Sequence, residues 1–584
     1  LAEVYTLLPL ASNASFAYRT WLSSSQQLHI IAEHPPLSKD SESRRRSRLP
    51  SLRMFEIWGP RIAPVYSLWW RLLPPNVRRN LHGYLTKANL FRAVSEEDLF
   101  NALKEFSAIA KKYQDMLFPE WRYYVDMQNL RDYAELTKIE DFVEDVKDWV
   151  NGDVIHKIHG SEQIFLDYFR TGVRKFLDDS PCKMTNYTPL TVEQFAKDPA
   201  YWARSGSSDG PRLEVRVDNT IKFARKQKWA SAMAMSYKEV ISAILQHFTQ
   251  HNVAVQKREL GKVRAIVAGD LKLYMKMSYV SHWLEAAMAG HPHTTLFYNS
   301  TQQFSLWEMM VQDANNPRLI KIPIDQSKFD HNISIRMIHI CNEEIFNFIF
   351  RRCITPDRTQ LLFVMSLIKI SMWSGTIRVG NIELVFEKGV LSGWRWTALY
   401  TTLCNAGELY AVSKAVEDKS GVWPLTPAYV LQGDDVRACC LSFALAVLLA
   451  LEYKSANFDV NPSKTFISDT NDEYLRQITN GDSIHGYPAR AISSLVWRNP
   501  VTRELLRGEE RIREMVTSWN QVFNRIKRTD YTLMINVIAY SNKIPAPVVE
   551  RLCGSPACVG GLGLLTPPLD EWIAIEKGIV ERGW

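Results

Sequence analysis

The order of elements in the chain predicts an α+β fold, and three observations carry that prediction. Residues Arg318 to Gln326, RLIKIPIDQ, alternate as a strand does. Thr397 to Val416 repeats apolar residues at helical spacing. Just beyond it, AYVLQ and VRACC bracket Gly433, Asp434 and Asp435 as two short strands about a turn. Strand, helix, hairpin and helix in that order make an α+β arrangement.

The bulk properties agree with a large globular chain. At 584 residues it exceeds one ordinary core, so several subdomains are expected. Hydrophobic residues make up 46% and aromatic residues 11%, which excludes a disordered protein. The net charge of +7 permits a polyanionic partner without requiring one. Eight cysteines form no pairing framework, and Cys553 and Cys558 lack a second Cys/His pair at zinc-like spacing. Free buried thiols in a reducing compartment are expected. The longest apolar run, Leu441 to Leu451, is too short to span a membrane and reads as a buried helix. The N-terminal LAEVYTLLPLASNASF lacks the positive region of a signal peptide. A start at Leu1 fits processing, a fusion product or a shortened chain alike.

Taken in order, Ser38 to Ser51 holds Arg44, Arg45, Arg46 and Arg48 and reads as a basic surface arm, either merely solvated or touching nucleic acid. Arg79 to Arg174 is helical in pattern, with a Ser-x-x-Asp capping signal at Ser95. Tyr201 to Arg212 is a Ser/Gly loop flanked by Arg204 and Arg212. Asp357 to Trp373 is helical or mixed, and residues 500 to 584 add helices and the Gly-rich VGGLGLLTPP.

The chemistry gathers at the acids. Asp434 and Asp435 repel each other unless a cation sits between them, although Gly-Asp-Asp also suits an ordinary turn. Asp325 ends the predicted strand and would face the hairpin tip across a cleft, with Asp330 five residues on. Two divalent cations ~3.5–4 Å apart between Asp325 and Asp434 would suit phosphoryl transfer. Magnesium prefers such oxygen donors. Ser392 and Gly393 form a small loop entering the helix of Thr397, where hydroxyls can meet a sugar or phosphate, or where Ser simply caps the helix.

IDQSKFD, SGWRWT and QGDD, in that order, resemble motifs A, B and C of viral RNA-dependent RNA polymerases. The Trp-rich SGWRWTAL and the late GGLGL are most similar to the polymerases of double-stranded RNA viruses of the totivirus-like group. KRELGKVRAIVAG resembles motif F, which implies that Lys257, Lys262 and Arg264 neutralise the incoming triphosphate. NPSKTFIS resembles motif D and implies Lys464 as the acid that protonates pyrophosphate. EYLRQI resembles motif E and puts Arg476 beside RNA. The loop of Ser205, Gly206 and Ser207 resembles the template-touching motif G.

The resemblance implies a right hand of fingers, palm and thumb, with an antiparallel palm sheet packed on helices. Its expected parts are an N-terminal extension with the basic arm (1–90), mainly fingers (91–317), palm with motif A (318–345), a fingers insertion (346–385), palm with motifs B to E (386–495) and thumb (496–584). Asp325, Asp434 and Asp435 would hold magnesium, with manganese able to substitute. Asp330, Ser392, Gly393, Thr397, Thr401 and Asn405 would surround the nucleotide. One departure stands out: many such polymerases carry Asn nine residues after the motif B serine, where this chain has Thr401, with Asn405 one helical turn later. Sugar discrimination would therefore rest on Asp330, Ser392 and Thr401 or Asn405, because the 2′-hydroxyl is what distinguishes the sugars.

The activity implied is template-directed RNA synthesis from nucleoside triphosphates, replicating and transcribing a viral genome inside a virion or in host cytoplasm. Template, nascent RNA and nucleotides are the implied partners, with capsid protein a further one and no membrane. A reverse transcriptase would instead carry an aromatic-x-Asp-Asp hairpin and lack the Ser-Gly loop. An inactive RNA-binding palm serving as a structural component of a particle would have lost a metal carboxylate, and none is missing.

Overall fold

The structure is a computed structural model. It describes residues 65–66, 68–87, 95–112, 121–181, 187–203, 206–217, 220–223, 227–461, 465–481, 483–497, 508–556 and 560–563. Ser205, Lys464, Cys558, the Arg44 to Arg48 arm and most of VGGLGLLTPP lie outside the described residues. By its contacts the chain divides into two units. One comprises Leu1–Glu135, Arg258–Lys262 and His485–Trp584, the other Leu136–Lys257 and Val263–Ile484.

The first unit is helical and joins distant parts of the sequence. Its helix Glu96–Lys112 begins at the anticipated cap: the Ser95 hydroxyl accepts the Asp98 N–H at 3.1 Å and donates to its carboxylate at 2.7 Å. Helix Gly508–Ile526 buries Ile512, Met515, Val516, Trp519, Val522 and Phe523, a stripe at helical spacing. The Tyr123 hydroxyl donates to the Ile526 carbonyl at 2.9 Å, and Arg528 reaches the Leu73 carbonyl at 3.1 Å.

The second unit holds the large core. In chain order its main elements are α1 (Glu162–Asp178), β1 (Glu214–Val217), β2 (Thr220–Phe223), β3 (Gln250–Glu259), β4 (Lys262–Ala268) and α2 (Leu271–Ala287), the joined ends of β3 and β4 at Arg258–Lys262 belonging to the first unit. There follow β5 (Ile320–Ile324), α3 (Ile335–Arg352), α4 (Arg358–Ser371), β6 (Gly375–Val379), β7 (Ile382–Val385) and α5 (Thr397–Ser420). Last come β8 (Val430–Gln432), β9 (Asp435–Cys440), α6 (Phe443–Ser455), β10 (Asn471–Tyr474) and β11 (Gln477–Asn480). Strands β5, β9 and β8 form an antiparallel sheet in that order, with Ile324 paired to Val436 and Gln432 to Asp435. A mixed sheet runs β4-β3-β6-β7, with β3 and β6 parallel. The α+β order thus stands, and strand 320–324 and the hairpin fall where the alternation placed them.

β5 is buried along its whole length, so it presents no polar face. A buried ion cluster ties down the sheet's central strand, β9. The fully buried Arg437 on β9 contacts Asp472 of β10 and Asp313 of helix Ser300–Ala314, each at 2.5 Å. Removing one partner of such a cluster would leave a buried charge unmatched, which is strongly destabilising. α5 is buried over most of its length and ends at Gly421, whose φ of +75° suits a left-handed helix end.

One expectation fails. The Leu441 to Leu451 run is helical but not buried: Phe443, Val447, Leu448 and Leu451 are exposed, while Ala446, Leu449, Glu452 and Tyr453 face inward. The run is apolar all round, so no polar face marks which side meets solvent. No helix among the described residues is long and apolar enough to cross a membrane. The six described cysteines are all buried and free.

Candidate active site

The two outer acids meet because of strand register. Ile324 pairs with Val436, so the next residues outward across β5 and β9 are Asp325 and Asp435. Gln432 pairs with Asp435, leaving Gly433 and Asp434 as a two-residue turn. Gly433 has φ +62° at the first turn position, where hairpins of this length favour glycine. Asp434 at the tip is exposed, and Asp325 and Asp435 are half-buried.

The backbone around Asp325 is tethered on both sides. Its N–H donates to Thr465 Oγ1 at 3.3 Å, and its carbonyl accepts the Asn461 N–H at 2.8 Å. The neighbouring Gln326 side chain donates to the buried Glu408 of α5 at 2.8 Å. Burial pushes the Glu408 carboxyl up to about 8, and the Gln326 bond only partly offsets it. Asp330 sits in the short turn Phe329–His331, its carbonyl accepting the Val390 N–H at 2.9 Å.

The electrostatics at this point are those of crowded carboxylates. Burial pushes Asp435 up to about 7, helped by the charges of Asp434, Asp325 and Glu473 and opposed by Arg476. Burial and Asp434 push Asp330 up to about 6, against the guanidinium of Arg264. The neighbouring carboxylates thus add to burial in raising the affinity of Asp435 and Asp330 for a positive charge. Among the described residues no three acidic, His or Cys side chains form a ready-made ion cage.

The loop before α5 is shaped by contact with β4. Ser392 Oγ accepts the Val267 N–H at 3.0 Å. A Cβ on Gly393 would lie 2.1 Å from the Val267 carbonyl oxygen and 2.4 Å from the Gly269 nitrogen, so only glycine fits. Thr397 closes the loop by donating to the Leu391 and Trp394 carbonyls at 2.6 and 2.9 Å. Arg264 on β4 is exposed, Lys257 on β3 is half-buried, and Lys262 is exposed at the first position of β4.

α5 then holds the acidic turn through two side chains. Thr402 Oγ1 accepts the Gly433 N–H at 2.8 Å, and the Asn405 amide donates to the Gly433 carbonyl at 3.0 Å. Both are fully buried, three residues apart on one helix face. The Thr401 hydroxyl turns back on its own helix, to the Thr397 and Ala398 carbonyls at 2.8 and 3.1 Å. Sequence reasoning had Asn405 as a nucleotide contact and did not name Thr402, although their spacing was visible. Nor did it find Glu408, Glu473 or Thr295, which contacts Gln432 and the Tyr474 hydroxyl. No sequence signal links those residues across such separations.

Of the RNA-facing candidates, Gly206 and Ser207 are exposed, and Ser207 bridges to Gln227. Arg476 is exposed in the β10–β11 turn, where Leu475 and Arg476 have φ +48° and +61°. Two successive left-handed non-glycine residues are costly, and here they carry a cation close enough to Asp435 to oppose its protonation.

A family model described as viral RNA-directed RNA polymerase matches residues 70–499. The probable RNA-directed RNA polymerase of Giardia lamblia virus (isolate Wang) is 25% identical over 393 residues, covering 65% of this chain and 19% of that one. That of Leishmania RNA virus 1 - 1 (isolate Leishmania guyanensis) is 27% identical over 315 residues, 52% of this chain and 33% of that one. The matched stretch is thus no more than a third of either curated relative. Among solved structures, the in situ structure of the BmCPV RNA-dependent RNA polymerase at elongation state aligns over 79% of this chain and 40% of that one, with a TM-score of 0.51 and 12% identity. At that identity the likeness speaks to the fold.

Proposed function

The chain belongs to the viral RNA-directed RNA polymerase family, and from that premise we propose that it synthesises RNA on an RNA template from nucleoside triphosphates, replicating and transcribing a viral genome. The observation that supports this most directly is the convergence of Asp325, Asp330, Asp434 and Asp435 at one pinned hairpin.

In the reaction the nascent 3′-hydroxyl oxygen attacks the α-phosphorus. The bond to the bridging oxygen breaks, and pyrophosphate leaves. Asp325, Asp434 and Asp435 would hold magnesium, or manganese in its place. Such a cation supplies a lowered pKa for the attacking hydroxyl and charge neutralisation for the leaving group. Arg264, with Lys257 and Lys262, neutralises the triphosphate. Lys464, outside the described residues, returns a proton to pyrophosphate. Ser392, Gly393 and Thr397 shape the wall beside the sugar, and Asp330 faces it. In this reading Thr401 and Asn405 act from behind, on the helix and on the turn, because the Thr401 hydroxyl and the Asn405 amide N–H donate to backbone carbonyls. Ser205, Gly206, Ser207 and Arg476 touch RNA. Capsid protein as a partner and the virion interior or host cytoplasm as the place of action rest on the family resemblance.

The test is incorporation of labelled ribonucleotide by the purified chain on a short single-stranded RNA with magnesium or manganese. Template-length product, absent in Asp434→Asn, is the expected result. An Asp434→Asn variant that incorporates at the wild-type rate would overturn the metal assignment.

A further inference from the structure

The turn that carries Asp330 is held by a stretch of chain to which the reaction gives no part. Helix Ile139–Val150 buries Phe142, Val143, Val146, Trp149 and Val150, a stripe at helical spacing that reaches its last turn at Trp149. The neighbouring Asp148 faces outward, and its carboxylate accepts from Lys328 Nζ at 2.9 Å. Lys328 has φ +48° at the entry to the Asp330 turn. That conformation is costly for a residue with a Cβ and persists only where its surroundings hold it. The ion pair is exposed and so holds weakly. The buried contact belongs to Trp149. Its indole stacks on the His331 ring, with centroids 4.9 Å apart and planes 6° from parallel. Burial and the charge of Lys328 push His331 down to about 4, so at neutral pH two uncharged rings meet there.

The same stretch grips the approach to Ser392. The Val150 carbonyl accepts the Glu387 and Lys388 N–H groups at 2.9 and 3.1 Å. The Asn151 amide donates to the Val385 carbonyl at 2.9 Å, and the Glu387 carboxylate accepts the Gly152 N–H at 2.7 Å. At Gly389, where φ is +86°, a Cβ would lie 2.9 Å from the indole Cδ1, so Trp149 occupies the space a side chain would need. The Gly389 N–H donates to the Ile333 carbonyl and the Val390 N–H to the Asp330 carbonyl, each at 2.9 Å. Farther on, His156 bridges the Asn332 and Ala456 carbonyls at 2.9 and 3.3 Å. Trp149 therefore lies against two walls. It is one residue from Asp330 through His331, and three from Ser392 through Gly389.

We propose that Trp149 is a positioning residue for nucleotide selection: packed against His331 and Gly389, it sets the gap between Asp330 and Ser392 in which the ribose 2′-hydroxyl is read. The proposal rests on the polymerase reading of that gap. A hydroxyl is recognised only where its partner oxygens stand about 2.5–3.0 Å away, so a small shift of either wall lowers discrimination.

The experiment compares ATP with dATP on a primed RNA template in two ways. One is single-nucleotide incorporation. The other is displacement of a fluorescent ATP analogue from a complex whose primer lacks its 3′-hydroxyl, which needs no chemistry. Trp149→Leu keeps an apolar side chain but loses the flat ring. It should lower the preference for ATP over dATP about ten-fold in both assays, the order of one hydrogen bond. The loss should fall on the KM for ATP, with that for dATP nearly unchanged. Trp149→Phe keeps a ring and should recover most of the preference. Partial misfolding would lower kcat for both nucleotides alike and leave their ratio unchanged. His331→Leu should lose the same about ten-fold, and the double variant no more than either single one, because both residues act through one contact. Where Trp149→Leu does not fold, His331→Leu decides alone. An unchanged preference in the folded leucine variants would make Trp149 a packing residue and overturn the proposal. Losses that multiply to about a hundred-fold in the double variant would overturn the route through His331. A wild-type chain that incorporates ATP while the variants keep its preference sinks only this proposal. A wild-type chain that binds ATP over dATP and loses that preference in the variants, yet never incorporates, sinks only the polymerase reading.

Discussion

Two hairpins in the second unit show how much context decides. Both pair in regular antiparallel register, Val217 with Thr220 in one and Gln432 with Asp435 in the other. The β8–β9 hairpin is packed into the sheet, and its turn is held by Thr402 and Asn405. The β1–β2 hairpin is exposed on both faces. Buried hydrogen bonds at the first fix the backbone of the turn that carries Asp434.

The largest expected effect breaks the comparison at its centre. Asp434→Asn should reduce nucleotide incorporation by about a thousand-fold or more while leaving RNA affinity within about two-fold, because phosphate contacts elsewhere supply most affinity. Single-turnover incorporation and anisotropy titration read the two arms.

Next, Thr402→Val removes the group that accepts the Gly433 N–H and leaves that donor buried. It should cost about 1–3 kcal/mol of stability. It should lower kcat by about ten- to a hundred-fold, with nucleotide KM little changed, because the turn carrying Asp434 loosens. Thr402→Ser keeps the hydroxyl and should restore most of kcat. A serine variant as slow as the valine one would show that packing, not the hydrogen bond, is what matters.

A smaller effect sharpens the picture behind the site. The folded pKa of Glu408, about 8, lies above that of an unfolded glutamate. The folded chain thus holds that proton more tightly. Its stabilising effect is complete below the unfolded pKa and disappears as pH rises through 8. Glu408→Gln keeps an acceptor for Gln326 without the titration. The melting temperature of the variant relative to wild type should climb between about pH 5 and 8 and then level. A pH-independent difference would mean that Glu408 is not buried as a proton-holding acid.

The smallest effect concerns sugar choice. Thr401→Ser retains the helix bonds of the hydroxyl, so ribonucleotide preference over deoxynucleotide should change by less than about two-fold in competition assays. A large loss of discrimination would put Thr401 back in contact with the sugar.

Much of the site was legible in the sequence because its signals are local. Alternation placed β5, a turn-forming glycine beside two acids placed the hairpin, and helical spacing placed α5. Three motifs in order led to the polymerase family, which the family match bears out. The outer face of α6 was not legible, since an all-apolar helix carries no sign of its own orientation.

The sequence by itself determined which residues are acidic, which segments are strand or helix, and where a glycine is needed, because these depend on neighbours a few positions apart. Tertiary structure alone decided that Asp325 stands opposite Asp435, that Glu408 reaches Gln326, and that Thr402 and Asn405 bond the backbone of Gly433. Those outcomes depend on strand register and helix rotation. Contacts between residues far apart in the chain set both, and a one-residue slip would turn every such side chain to the other face.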